Sequence, residues 1–115
     1  MHKVYFLSTC STCKRIMDAV NLDGFEIQDI KTKPITPDQL DQMKALAGSY
    51  EALFSRRAMK YKAMGLADKN LTEADYRQLI LDEYTFLKRP VFVVDDAIFT
   101  GSAKKTIEAL KNELA

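Results

Sequence analysis

The chain has 115 residues, 47% of them apolar and 29% charged, the composition of one ordinary globular domain with room for a hydrophobic core. Its 17 basic residues nearly balance 16 acidic ones. That argues against direct nucleic-acid binding, which needs clustered positive charge, and no apolar run reaches the length of a membrane span.

Val4 to Leu7 is a continuous apolar run with β-branched and aromatic members, and it reads as a strand buried on both faces. It is too brief for the apolar region of a signal peptide, so a reducing, cytoplasmic setting is expected. The next segment carries Cys13, Ile16, Met17 and Val20 at one-face helical spacing and is expected to end near Asp23-Gly24. Phe25 to Ile30 reads as a second strand, with Phe25 and Ile27 alternating with Glu26 and Gln28. Thr36-Pro37-Asp38-Gln39 opens a helix with a cap, a proline at the first helical position and a capping-box glutamine. Further helical stretches are expected at Tyr50 to Phe54 and Arg57 to Met64. Another begins at Thr72, its buried face continued by Leu79, Ile80 and Tyr84.

Pro90 stops the helical pattern. Val91 to Val94 and Ala97 to Thr100 then read as a hairpin around Asp95-Asp96, and Ser102 is placed to cap a last helix. The order is β-α-β, a helical insertion over about residues 36–86, then β-β-α. The expectation is a single α/β domain over residues 1–115 with a mixed four-stranded sheet.

Cys10 and Cys13 fall where the first strand becomes the first helix. A cysteine near the helix N-cap lies among unpaired N–H groups at the positive end of the helix dipole, and both favour a thiolate. Lys14 and Arg15 add positive charge nearby. Cys13 comes one turn later, on the apolar face, within reach of a disulfide. This is the layout of an attacking and a resolving thiol. Two cysteines and one histidine fall short of the four ligands of a closed zinc site, so no metal is expected. An inert buried pair is the plainer alternative.

Two basic segments have two readings each. In Lys88-Arg89-Pro90-Val91, the proline before a buried strand is explained by a cis peptide, with Arg89 held rigidly to present its planar fork to an oxyanion. It is equally explained as a basic helix end followed by a stop signal. Arg56 and Arg57 read either as surface residues or as contributors to an anion site with Arg89.

Together these residues resemble the arsenate reductase family of the glutaredoxin and thioredoxin superfamily, which includes the Spx regulators. The resemblance rests on Tyr5-Phe6-Leu7-Ser8-Thr9-Cys10, Ser11-Thr12-Cys13-Lys14, Arg56-Arg57 with Tyr61 and Met64-Gly65-Leu66, Lys88-Arg89-Pro90-Val91, and Gly101. It implies a thioredoxin-like, glutaredoxin-type fold. Cys10 would be the nucleophile, Pro90 a cis proline, and Arg89 with Arg57 or Arg56 an oxyanion pocket completed by Thr9, Ser11 and Thr12. It implies a monomer that binds no cofactor and acts on arsenate or a disulfide or glutathione-linked substrate. Glutathione, glutaredoxin or thioredoxin would be the electron donor. The alternative it implies is an Spx-like redox sensor that binds the RNA polymerase α subunit without turnover. The chain departs from the family pattern in three places: Cys13 adds a second cysteine, Ser8 stands where a proline is usual, and Thr100-Gly101-Ser102 lacks an arginine before the last helix.

Overall fold

The computed structural model describes residues 2–114, which divide into two compact units. The first comprises the described residues of Met1–Pro34 and Arg89–Ala115, and the second comprises Ile35–Lys88.

In the first unit, β1 (His2–Phe6) pairs in parallel with β2 (Glu26–Asp29) and antiparallel with β3 (Val91–Val94), which pairs antiparallel with β4 (Ala97–Thr100). The mixed sheet has the order β2-β1-β3-β4. Helix α1 (Ser11–Asp18) joins the parallel strands and α5 (Lys104–Leu114) follows the hairpin. Val4, Ile16, Phe92, Val94 and Leu110 form the core on one face of the sheet. Phe25, Phe99, Ile107 and Leu114 pack against it. The other face carries Tyr5, Val91 and Val93 and is buried as well, so β3 is apolar on both sides, whereas β1 also places the buried Lys3 on that face, paired with Glu26 at 3.3 Å.

Helix α1 stops at Asp18, well before the expected Asp23-Gly24. The Ala19 N–H bonds to the Ile16 carbonyl, which tightens the last turn, and the Asn21 side chain accepts from the Asp23 N–H. Val20 and Leu22 still pack on the core from the loop, which is why their spacing imitates a longer helix. Strand β2 is shorter than expected, and Ile27 is about half exposed at the sheet edge. Gln28 is buried instead, because the register pairs it with Tyr5. Its amide donates to the Lys33 carbonyl at 2.9 Å, so the buried polar group is satisfied. In the hairpin, Asp95 takes the left-handed conformation (φ +53°) that a tight turn needs and aspartate tolerates. Ser102 does not cap α5: the Ile107 N–H bonds to the Ala103 carbonyl, one residue later.

The second unit contains α2 (Pro37–Ala47), α3 (Met59–Ala63) and α4 (Glu73–Asp82), with 3-10 turns at Glu51–Leu53, Leu66–Asp68 and Tyr84–Phe86. Thr36 with Gln39 and Thr72 with Asp75 close reciprocal capping boxes. Phe54 is fully buried, stacked on Phe86 at 5.0 Å and against Tyr76 at 4.9 Å. The expected helix over Tyr50 to Phe54 is only a 3-10 turn, and α3 is shorter than Arg57 to Met64. Tyr84 does not continue α4, which ends at Asp82 before an extended Glu83. The chain here forms a short antiparallel contact instead. The Lys88 N–H donates to the Leu53 carbonyl at 2.8 Å and the Ser55 N–H to that of Phe86 at 2.6 Å.

Candidate active site

Beyond Phe6, a turn from Leu7 to Cys10 is closed by the Cys10 N–H donating to the Leu7 carbonyl at 2.9 Å. Cys10 is the N-cap of α1, with extended dihedrals (φ −97°, ψ 109°). Its carbonyl accepts from the Lys14 N–H at 3.3 Å and its side chain is half-buried. Burial disfavours a charged sulfur here, but it is outweighed. The Cys13 amide, the Cys13 thiol, the Arg89 guanidinium and the Thr12 amide together hold the Cys10 thiol below the usual thiol range. The amides act without closing a formal cap hydrogen bond to the sulfur.

Cys13 is fully buried on the inner side of α1, and both cysteines are free thiols. Burial pushes its thiol up to about 11, against the Leu7 amide, which faces its sulfur and acts in the opposite sense. The hydrogen bond to Cys10 and the proximity of that sulfur raise it further, and Arg89 lowers it.

Arg89 is half-buried and lies two residues before the start of β3, and its positive charge bears on both sulfurs. The Arg89–Pro90 peptide is cis, and the buried Pro90 accepts from the Gly101 N–H at 3.0 Å. Thr9 and Ser11 flank Cys10 with exposed side chains, and Thr12 contributes through its amide. Lys14 and Arg15 are exposed on α1.

Arg56 and Arg57 belong to the second unit. There Arg56 donates to Glu51 at 2.6 Å and to the Tyr76 hydroxyl at 3.0 Å, while Arg57 is exposed. Among the described residues, no group of three or more His, Cys, Asp or Glu is arranged to hold a metal ion, and no helix is long and apolar enough to cross a membrane.

One residue at the site is invisible to motif reading. The Asp29 carboxylate, at the end of β2, accepts from the Ser8 N–H at 3.2 Å. A partial signal lay in the sequence, since an aspartate closing a strand is a common side-chain-to-backbone acceptor. Its partner in the loop could not be inferred, because it is 21 residues away.

The sequence matches the ArsC family over residues 5–110. No curated protein matches it significantly. The fold is similar to that of the YffB protein (TM-score 0.82, 23% identity, 100% of both chains covered). It is similar to SACOL0876 from Staphylococcus aureus COL (TM-score 0.75, 25% identity, 95% of this chain and 97% of that one). It is also similar to an arsenate reductase from Vibrio cholerae (TM-score 0.73, 17% identity, 99% of this chain and 97% of that one). With a thioredoxin-like mixed sheet and a family match that spans nearly its whole length, the chain belongs to the ArsC family.

Proposed function

We propose that this protein is an arsenate-reductase-like thiol oxidoreductase in which Cys10 attacks and Cys13 resolves. The observation that carries this reading is the placement of Cys10 at the N-cap of α1 with Cys13 buried one turn later, and the charge of Arg89 bearing on both sulfurs.

With a disulfide substrate, the Cys10 thiolate attacks one sulfur. A mixed disulfide forms and the other sulfur leaves as a thiolate. With arsenate, the same thiolate bonds to arsenic and an arsenate hydroxyl leaves, protonated from solvent, as water. In either adduct Cys10 no longer carries charge and no longer accepts from Cys13. Two of the influences that raise the Cys13 thiol then vanish, while the Leu7 amide and Arg89 remain. Cys13 can now lose its proton and attack the Cys10 sulfur. The bond from that sulfur to the substrate breaks and its electron pair leaves with the substrate, as a thiolate or as arsenite. The enzyme holds a Cys10–Cys13 disulfide, oxidised by the two electrons the substrate gained. A thiol reductant such as glutaredoxin, thioredoxin or glutathione returns it to the dithiol.

Arg89 has a double part in this reading. It favours the Cys10 thiolate, and its guanidinium suits an arsenate oxygen or a carboxylate of a glutathione-linked substrate.

The test is the rate of Cys10 alkylation against pH in the wild type and in Cys13→Ser, followed by turnover assays with arsenate and with a glutathione mixed disulfide. The expected result is a Cys10 midpoint below the free-thiol value of about 8.5, with the wild type accumulating an internal disulfide as substrate is consumed. A midpoint at the free-thiol value defeats the nucleophile assignment. A depressed midpoint with no turnover of either substrate favours a redox sensor that uses the same pair.

A further inference from the structure

The turn that delivers Cys10 to the start of α1 spans Leu7 to Cys10 and is closed inside by the Cys10 N–H on the Leu7 carbonyl. Its second residue, Ser8, is exposed, as is Thr9. Packing does not fix such residues, and an exposed turn of serine and threonine has ample freedom to lose. Yet the distances from Cys10 to its stabilising amides depend on how this turn is set.

The turn is tied down from the neighbouring strand. In the β1–β2 register Phe6 sits opposite Asp29, and the Ile30 N–H donates to the Phe6 carbonyl at 2.9 Å. Asp29 therefore lies beside the point where β1 gives way to the turn. Its Oδ1 accepts from the Ser8 N–H at 3.2 Å and from the Lys31 N–H at 3.1 Å. The Ser8 hydroxyl faces the same carboxylate. The Asp29 backbone is itself held, since its carbonyl accepts from the Lys33 N–H at 2.9 Å.

We propose that Asp29 is a positioning residue for Cys10: its carboxylate clasps the Ser8 backbone and so fixes the turn that aims the sulfur at the first amides of α1. This rests on the reading of Cys10 as the nucleophile. Charge and position make opposite demands here, which makes the proposal testable. An anion close to a thiol disfavours the thiolate. If Asp29 acted by charge alone, removing it would make Cys10 more acidic. As a clasp, its removal makes Cys10 less acidic, because the sulfur drifts from its donors.

The experiment measures Cys10 alkylation against pH in the full chain for wild type, Asp29→Ala, Asp29→Asn, Ser8→Pro and the Ser8→Pro/Asp29→Ala double variant. Amide hydrogen exchange at Ser8, Thr9 and Cys10 is read alongside. In Asp29→Ala the Cys10 midpoint is expected to rise by about half a pH unit, roughly a threefold loss of thiolate at neutral pH, with faster exchange at the three amides. Asp29→Asn keeps a carbonyl acceptor and is expected to restore both. Proline is favoured at the second position of such a turn and fixes it without a donor, so Asp29→Ala should have little further effect in the Ser8→Pro background.

An unchanged or lowered midpoint in Asp29→Ala overturns the proposal. So does equal damage from Asp29→Asn and Asp29→Ala, or an Asp29→Ala effect undiminished by Ser8→Pro. A wild-type Cys10 that titrates as a free thiol instead defeats the functional reading, and slowed exchange at the turn in wild type relative to Asp29→Ala would then leave Asp29 only a stabiliser of the loop.

Discussion

Cys10, at the N-cap of α1, and Cys13, buried one turn later, shift in opposite directions: burial pushes the Cys13 thiol up, and the Cys13 amide, the Cys13 thiol, Arg89 and the Thr12 amide together hold the Cys10 thiol down. Cys10 becomes the better anion and Cys13 the more reluctant one. In the proposed reaction this would separate an attacking from a resolving thiol before any substrate arrives.

The donor can be removed without disturbing the helix. Cys13→Ala takes away the S–H while keeping a small apolar group in α1, and Cys13→Ser leaves an O–H in its place. A hydrogen bond to a charged acceptor contributes about 1.5–3 kcal/mol, and the Cys10 amides and Arg89 remain in both variants. The Cys10 midpoint is expected to rise in Cys13→Ala by roughly one to two pH units and to stay near the wild-type value in Cys13→Ser. Ultraviolet absorbance of the thiolate against pH is the measurement. Equal midpoints in the two variants would show that the S–H contact has no part in ionising Cys10.

The raised Cys13 thiol also carries a stability signature in alkali. In the folded chain it holds its proton up to about pH 11, whereas in the unfolded chain it loses it near the ordinary thiol value of about 8.5. Between those values the folded state binds more protons than the unfolded state, so stability falls as pH rises, by at most about 1.4 kcal/mol per pH unit. Cys10 is shifted the other way: its contribution is present above the ordinary thiol value and is lost as pH falls through its lowered folded value. It adds no slope in the alkaline window. Urea unfolding of wild type and Cys13→Ala is therefore expected to show a stability difference that shifts in the variant's favour from pH 8.5 to 11. A difference constant across that window would refute the burial argument.

Arg89 can be dissected by keeping its charge and changing its shape. Its positive charge favours the anionic form of both sulfurs, and its planar fork suits bidentate oxyanion contacts. Arg89→Ala is expected to raise the Cys10 midpoint and slow turnover about 10-fold or more, from the loss of one charged contact of about 1.5–3 kcal/mol. Arg89→Lys should hold the midpoint near wild type while raising KM for an anionic substrate. If lysine restores KM as well, the guanidinium geometry is irrelevant and only charge counts.

What the sequence made legible was local. Cys10 could be placed at the N-cap because the strand run, the polar turn and the helical stripe follow each other within a few residues. The Thr36 capping box was likewise written in four consecutive positions, and Thr72 could be read as a cap, but its box partner Asp75 stands where a glutamine or glutamate is usual. What escaped depended on register. Gln28 is inside and Ile27 at the edge because of which residue of β1 each one meets, and alternation alone cannot choose between the two faces. The contact of Leu53 and Ser55 with Phe86 and Lys88 joins segments that each read as helical by apolar spacing. Asp29 escaped for the same reason, since its partner is supplied by the parallel pairing of β1 with β2.

The second unit offers a comparison between a buried ring and an exposed cap. Phe54 is wholly enclosed and meets Phe86, Tyr76 and Tyr61 with centroids 4.9–5.9 Å away. Three aromatic neighbours cannot all collapse into the space a ring vacates, so Phe54→Ala should cost about 3–5 kcal/mol. Thr36 is exposed, and its loss removes one hydrogen bond of a capping box whose other half, the Gln39 side chain on the Thr36 N–H, can persist. Thr36→Ala should therefore cost about 1 kcal/mol, or about 4 °C in Tm for a chain of this size. Thermal and urea unfolding of the two variants measure both. If Phe54→Ala costs no more than Thr36→Ala, the rings around Phe54 are loosely packed, and the aromatic cluster is not what holds this unit together.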